Sequence, residues 1–392
     1  MESRFDARLD APFYSDEHRA WRDSLRRFID ERLMPHVAAW DEAGAVPRVV
    51  HREAARFGLT GLGYPEEFGG ISAGTDVYHL VIKAQELARM GAGGVATALS
   101  THDIALPPLI AAASEELKRR IAPAVLSGEK IMALAITEPG AGSDVAAIRT
   151  RARRDGDFYR VDGSKTFISG GMNADFVTTV VRTGEDGAGG LSLLLLERGM
   201  PGLSATALQK QGWWASDTAT LHFDDIAVPA ANLIGAEGTG FALIMHNLNR
   251  ERLMMAAGAL GAARACLQDA AAWASERETF GKRLVEHQVI RHKLVEMSRR
   301  INAGQAYLDL TAWRMQQGEH CAADIAMLKV DATLTMEFCA REASQVLGGA
   351  SYIRGGRVER IYREVRVNAI GGGSEEILRD LAARQLGFVP TR

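Results

Sequence analysis

Cysteine is scarce: Cys266, Cys321 and Cys339 are the only three in 392 residues, and none belongs to a CxxC pair or a Cys/His cluster. Neither a zinc-ligand pattern nor a disulfide framework follows from that spacing. The ten histidines include no HExxH, and His287 and His292 lie five apart, which does not stack them on one helix face. No metal is expected. A Walker A sequence is missing, and so is a GxGxxG that follows a strand and opens a helix; Gly91-Ala-Gly-Gly94 and Gly371-Gly-Gly373 have the wrong spacing and context. A dinucleotide, if bound, is held without a Rossmann fold. No run of about 18 apolar residues occurs, which argues against membrane insertion. The leading segment Met1–Trp21 carries acids early and has no apolar stretch of the signal-peptide kind, so the expected location is cytoplasmic. An excess of one charge is also lacking: 46 Lys and Arg against 49 Asp and Glu leave a formal charge of -3, which gives no reason to expect a nucleic-acid partner.

The patterning that is present falls into three stretches. From Ser15 to Arg120 the period is helical: Trp21, Leu25, Phe28, Ile29 and Leu33 share a face, Ser15-Asp-Glu17 reads as a helix start, and Pro35 kinks or ends that helix. Val77–Arg89 and Glu115–Leu126 read as further helices, with Tyr64–Gly70 a loop between. From Ile131 to about Gly235 the chain is alternating and turn-rich. Asp155-Gly156 marks one hairpin, Phe176–Arg182 and Leu191–Glu197 form a second, and Pro229 closes the strand region. After Gly238 the helical period returns, with helices expected over Leu248–Ala274, Glu286–Gln317, Ala323–Leu347 and Arg357–Tyr362. The expected division is a helical domain at 1–130, a β domain at 131–236 and a helical domain at 237–392. The fold class is mainly α with a central β domain.

One segment stands out chemically. Ala133-Leu-Ala-Ile-Thr-Glu-Pro-Gly-Ala-Gly-Ser-Asp-Val145 runs a strand into a turn rich in hydroxyls and backbone N–H groups. Such a turn serves equally as an ordinary tight loop or as a cradle for a polar ring edge or an anion.

This stretch resembles the first signature of the acyl-CoA dehydrogenase family. Similar segments follow in order: Lys165-Thr-Phe-Ile-Ser-Gly-Gly171, Trp214-Ala-Ser-Asp-Thr218, Arg277-Glu-Thr-Phe-Gly-Lys282, Glu286-His-Gln288 and Gln345-Val-Leu-Gly-Gly349. The resemblance covers nearly the whole chain. It implies a helical N-domain, a β-barrel-like middle domain and a C-terminal four-helix bundle with FAD held between them. It also implies an acyl-CoA substrate, electron-transfer flavoprotein as acceptor, and a homo-oligomer, most often a tetramer. Carried over residue by residue, Leu134, Ile136 and Thr137 edge the flavin. Gly142 and Ser143 lie near its phosphates, with Ser143 also at the substrate entrance. Phe167, in place of the usual tryptophan, covers a flavin face, and Ser169, in place of a threonine, approaches N5. Arg277, Thr279, Phe280, Gln345 and Gly349 resemble residues that reach the FAD of a neighbouring subunit; Gln288 and Ser374 are also expected at the cofactor, and Glu376 falls where relatives often carry a glutamine near the FAD ribose. Ser351 departs from the family, which often has glycine there.

The catalytic base is the main departure. Many relatives carry it in a Tyr-Glu-Gly-Thr segment, but the matching position here is Gly372, which has only its N–H to offer a thioester carbonyl. A branch resembling the isovaleryl and long-chain enzymes places the glutamate on an earlier helix. The matching stretch is Leu248-Asn-Arg-Glu-Arg-Leu253, which makes Glu251 the expected base and puts Asn249 and Arg252 beside the substrate. Read without the resemblance, Glu251 is a helix-surface carboxylate paired with Arg250 or Arg252. Glu375 and Glu376 are rival bases, although a helix N-terminus accounts for both acids. An oxygen-using relative, either an acyl-CoA oxidase or a flavin monooxygenase, and a non-catalytic flavin protein remain alternatives.

Overall fold

A computed structural model of the chain describes residues 11–389; residues 1–10, part of the leading segment read above, lie outside the described residues. The chain divides into two compact units, one of residues 1–39, 76–93 and 249–392, the other of residues 40–75 and 94–248.

The first unit is helical. Helix α1 (Asp16–Phe28) starts where Ser15 caps it, the Ser15 hydroxyl accepting from the His18 N–H. Pro35 does not simply end it. The chain passes through a π turn (Ile29–Leu33) and a 3-10 turn (Met34–His36) that carries the proline near its start, where the missing N–H does least harm. Helix α2 (Val77–Arg89) is capped by Asp76 and matches the expected span. The C-terminal stretch contributes α3 (Gly240–Glu276), α4 (Gln288–Gln316), α5 (Ala322–Leu347), α6 (Arg357–Ile370) and α7 (Glu375–Gln385). Helix α3 begins eight residues earlier than the apolar period indicates, because Gly240–Asn247 is a half-buried mixed stretch without a clean stripe. The core is built on small residues of α3, among them Ala256, Ala259, Ala263, Cys266 and Ala270, packed with Leu308, Leu328 and Met336. A polar network is buried in this unit: Tyr14 Oη donates to Asp309 Oδ1 at 2.7 Å, and Gln305 joins Asp309 to Gln85 and Arg264. Its donors and acceptors satisfy one another, which is what makes it tolerable in a core.

The second unit carries the sheet. Strands β1 (Met132–Ala135), β2 (Arg151–Asp155), β3 (Phe158–Ser169), β4 (Phe176–Arg182), β5 (Leu191–Glu197), β6 (Leu203–Ala207), β7 (Thr218–Pro229) and β8 (Leu233–Ile234) form one sheet in the order β6-β7-β3-β2-β4-β5-β8, with β1 parallel to β4. The sheet is open, because β6 pairs with β7 and β8 with β5, and no ladder joins β6 to β8 among the described residues. Both expected hairpins form, β2–β3 around Gly156 and β4–β5 in the register Phe176↔Glu197. Strand β5 reads as an unbroken apolar run because both its faces are covered. Leu191, Leu193 and Leu195 enter one core cluster with Leu109, Ile121 and Met132, while Leu194 and Leu196 enter another with Val161, Val177 and Val228.

Candidate active site

In the second unit, β1 delivers Ile136 and Thr137 to a turn in which Glu138 and Ala141 exchange N–H···O bonds of 2.9 and 3.1 Å across Pro139-Gly140. The turn is bolted to β3. The Thr166 N–H donates to the Thr137 carbonyl at 2.8 Å, and Lys165 Nζ donates to both the Ile136 carbonyl and Glu138 Oε1, each at 2.8 Å. Lys165 is fully buried, and burial pushes its ammonium down to about 8 against the pull of Glu138. Burial alone would raise the Glu138 carboxyl, but Lys165 and the N–H groups of Thr150 and Arg149 outweigh it and hold it below the ordinary value.

Beyond Lys165 the β3–β7 ladder slips by one residue between Lys165 and Ile168. Phe167 sits in this bulge with φ 61° and its residue 69 % exposed. A phenylalanine in the left-handed region, with its ring in water, is strained and poorly placed unless it serves a flat partner. Leu134, Ile136, Thr137 and Ser169 are half-buried nearby in the sequence of this unit, and Gly142 and Ser143 are exposed on the loop after the turn.

The first unit brings together a second group. Helix α6 gives way to Gly371-Gly-Gly373, and Ser374 caps α7 by accepting from the Ile377 N–H. Gly372 and Gly373 have φ of 66° and 109°. A Cβ on Gly372 would meet Met255 Sδ at 2.6 Å. The space that glycine leaves at the family's usual base position is therefore occupied by a methionine one helical turn beyond Glu251. Two cations grip this loop: Arg252 Nε donates to the Gly372 carbonyl and Lys329 Nζ to the Gly373 carbonyl, both at 2.9 Å. Glu251 lies on α3 beside Arg252. Burial pushes its carboxyl up to about 7, although the charges of Arg252 and Lys329 pull the other way. The residue as a whole is half-buried. Its carboxylate makes no hydrogen bond among the described residues, and the surface pairing left open by sequence is not formed. Asn249 is half-buried two positions earlier on the same helix.

The rival acids are otherwise engaged. Glu375 is held by Arg366 and Arg379, and Glu376 is exposed with its carboxyl lowered by its own N–H and the Ser374 hydroxyl at the start of α7.

Arg277, Thr279, Phe280 and Gln288 cluster along a hairpin and the helix that follows. Thr279 pairs with Lys282, leaving Phe280-Gly281 as a two-residue turn with φ of 53° and 77°. Both angles are positive, a turn that favours Asn-Gly, yet a phenylalanine occupies it and is 97 % exposed. Gln345 and Gly349 are exposed at the end of α5, and Ser351 turns inward, its Oγ donating to the Ser344 and Gly348 carbonyls.

Sequence reading missed the roles of Lys165, Lys329 and Met255 in holding these loops. Lys329 had a visible signal. It interrupts the apolar run Ile325-Ala-Met-Leu-Lys-Val330, and a lysine on a buried helix face must find a partner.

One unit thus holds a strained, exposed aromatic ring beside a rigid polar turn. The other holds a desolvated carboxyl beside a shaped glycine loop. The comparisons supply the class. Models of the acyl-CoA dehydrogenase N-terminal, middle and C-terminal domains match residues 15–129, 133–226 and 238–387. The long-chain specific acyl-CoA dehydrogenase of Sus scrofa is 35 % identical over 95 % of this chain and 87 % of that protein. The crystal structure of a probable acyl-CoA dehydrogenase from Mycobacterium abscessus is 44 % identical, with a TM-score of 0.93 over 96 % of this chain and all of that one. A glutaryl-CoA dehydrogenase from Mycobacterium smegmatis, solved in complex with FADH2, is 26 % identical with a TM-score of 0.90, covering 96–97 % of each chain. The chain belongs to the acyl-CoA dehydrogenase family and is an FAD-binding oxidoreductase. No helix among the described residues is long and apolar enough to cross a membrane.

Proposed function

We propose that the chain dehydrogenates an acyl-CoA thioester to the trans-2-enoyl-CoA with Glu251 as the base. The observation that carries this reading is the state of Glu251: a carboxyl pushed up to about 7 by burial, with no hydrogen-bond partner, on a chain whose usual base position is glycine. A base poised near the working pH transfers protons most effectively. Glu251 accepts the Cα proton, and the electron pair of that C–H bond becomes the second bond of Cα=Cβ. FAD, when bound, supplies the acceptor for the hydride leaving Cβ. The Gly372 N–H serves the thioester carbonyl, whose oxygen gains charge as the proton departs, and Asn249 and Arg252 flank the substrate.

On this reading Leu134, Ile136, Thr137, Gly142, Ser143, Phe167 and Ser169 hold the flavin, and Ser374 and Glu376 its ribose. Arg277, Thr279, Phe280, Gln288, Gln345 and Gly349 reach the FAD of a neighbouring subunit. The support is the exposure of Arg277, Phe280, Gln288, Gln345 and Gly349 together with that of Tyr352 and Ile353, which are 89 % and 67 % exposed. A closed symmetric assembly follows if each subunit gives and receives the contact, and a homotetramer built as a dimer of dimers is the proposed state. Electron-transfer flavoprotein is the proposed acceptor, supported by likeness to a chain in a structure described as the electron transferring flavoprotein of Acidaminococcus fermentans, 30 % identical with a TM-score of 0.90.

Anaerobic mixing of the holoprotein with a panel of acyl-CoAs tests the reading. Flavin bleaching is expected for at least one thioester. Glu251→Gln should keep FAD and acyl-CoA binding while the bleaching rate falls by about 10²–10⁴-fold. A Glu251→Gln protein that bleaches at the parent rate removes Glu251 from the mechanism.

A further inference from the structure

Lys329 is the least expected side chain in the first unit. It lies on α5, fully buried, where a solvated ammonium has every reason not to be. Its Nζ is spent on one backbone carbonyl, that of Gly373, at 2.9 Å. Arg252, 7 % exposed, grips the preceding carbonyl, that of Gly372, at the same distance. Two cations from two helices thus hold consecutive carbonyls of a loop whose glycines sit at φ of 66° and 109°, where no side chain packs to hold them. In a trans peptide the C=O and the following N–H point in opposite directions. Fixing the carbonyls of Gly372 and Gly373 on the two cations therefore fixes the N–H vectors of Gly373 and Ser374 facing away from them.

We propose that Lys329 is a positioning residue for the proton transfer: in tandem with Arg252 it clamps the Gly371–Ser374 loop, against which Met255 packs one helical turn from Glu251, and it sets a second buried cation beside that acid. This rests on Glu251 being the base. The charged neighbourhood is small and sharply divided. The charges of Arg252 on α3 and Lys329 on α5 both favour the ionised form of Glu251. From the start of α7, Glu375 faces Lys329 rather than Glu251, and Arg366 of α6 and Arg379 of α7 neutralise it. Burial and the nearby Arg252 push Lys329 down to about 8, so its charge is present at neutral pH and fades above it.

A lysine with only a structural role would leave the titration of Glu251 alone. Infrared difference titration of the holoprotein reads the protonated carboxyl of Glu251 directly, with Glu251→Gln identifying the band. In Lys329→Met the titration midpoint should rise by about one pH unit, at the lower end of what one nearby opposite charge produces. The acidic limb of the kcat profile should move by the same amount, so that most lost turnover returns at higher pH. Lys329→Arg should restore the parent midpoint. Lys329→Gln keeps an N–H donor for the Gly373 carbonyl without the charge, and it covers the case in which the methionine variant does not fold. Its midpoint should also rise. An unshifted midpoint in either folded neutral variant overturns the proposal. The Glu251→Gln arm separates the two failures: a band and turnover that survive in it overturn the base assignment, whereas their loss with unmoved Lys329 variants overturns only the role of Lys329.

Discussion

Lys165 and Lys329 are both fully buried, both pushed down to about 8, and both donate to the backbone carbonyl of a loop that carries site residues. Their company differs. Lys165 shares its ammonium with Glu138, whose carboxylate also takes two backbone N–H groups, so the charge in the β1 turn is cancelled locally. Lys329 has a carbonyl only, stands near a second cation, and faces a carboxyl that is left unbonded. The first arrangement gives a rigid, electrically quiet frame, as suits a turn whose backbone groups are to be presented in fixed geometry. The second leaves an imbalance, and an imbalance is what a titrating base responds to. One residue type thus does two jobs, decided by whether its counter-charge is bonded to it.

Removing each lysine gives the largest expected contrast. Lys165→Met strands Glu138 as a buried charge and should destabilise the holoprotein by about 3–5 kcal/mol in urea unfolding. The double variant Lys165→Met/Glu138→Gln should recover much of that. Lys329→Met loses one charge-assisted bond and strands no bonded acid, so about 1.5–3 kcal/mol is expected. Equal losses at the two sites would dissolve the distinction.

The loops themselves differ in how they use glycine. Gly140, in the Glu138–Ala141 turn, has nothing within 4 Å of an added Cβ, whereas Gly372 combines φ 66° with a Met255 sulfur at 2.6 Å. Gly140→Ala should be close to neutral. Gly372→Ala should cost about 1–3 kcal/mol, part backbone strain and part displacement of Met255, and Met255→Ala should return the packing share. The same contact bears on moving the base: Gly372→Glu in a Glu251→Gln background should regain turnover better when Met255 is also shortened.

Much of this was legible in the residues. Val77–Arg89, Glu115–Leu126 and the two hairpins lie where periodicity and turn chemistry put them, because each has a cap, a Gly or a clean alternation at its ends. The family resemblance carried the site list, but not how the site is held. That Phe167 stands out of a β-bulge depends on a one-residue slip between β3 and β7, and the Lys165–Glu138 pair joins positions 27 apart. Neither is encoded in a local window. The openness of the sheet was equally invisible, since strand patterns look the same whether or not the terminal strands meet.

The smallest effect is the most diagnostic for the unbonded acid. The Glu251 carboxyl is raised from an ordinary 4.5 to about 7 in the folded chain. A group with a raised folded value binds its proton more tightly when folded, so its contribution to stability is fully present below about 4.5. That contribution is lost as pH rises through about 7. Above that range the native state must hold a desolvated carboxylate that unfolding would release to water. Glu251→Gln has no such charge to hold. Thermal unfolding of the parent and of Glu251→Gln should therefore run close together near pH 5, with the variant pulling ahead between pH 6 and 8. Glu138 is lowered instead, so Glu138→Gln should show the opposite trend: its deficit against the parent is greatest near neutrality and shrinks as pH falls through the acid range. A Glu251→Gln protein whose melting temperature tracks the parent at every pH would mean that the carboxyl is already well solvated. The contrast between a charge cancelled in place and a charge left waiting would then fail at the residue on which it depends.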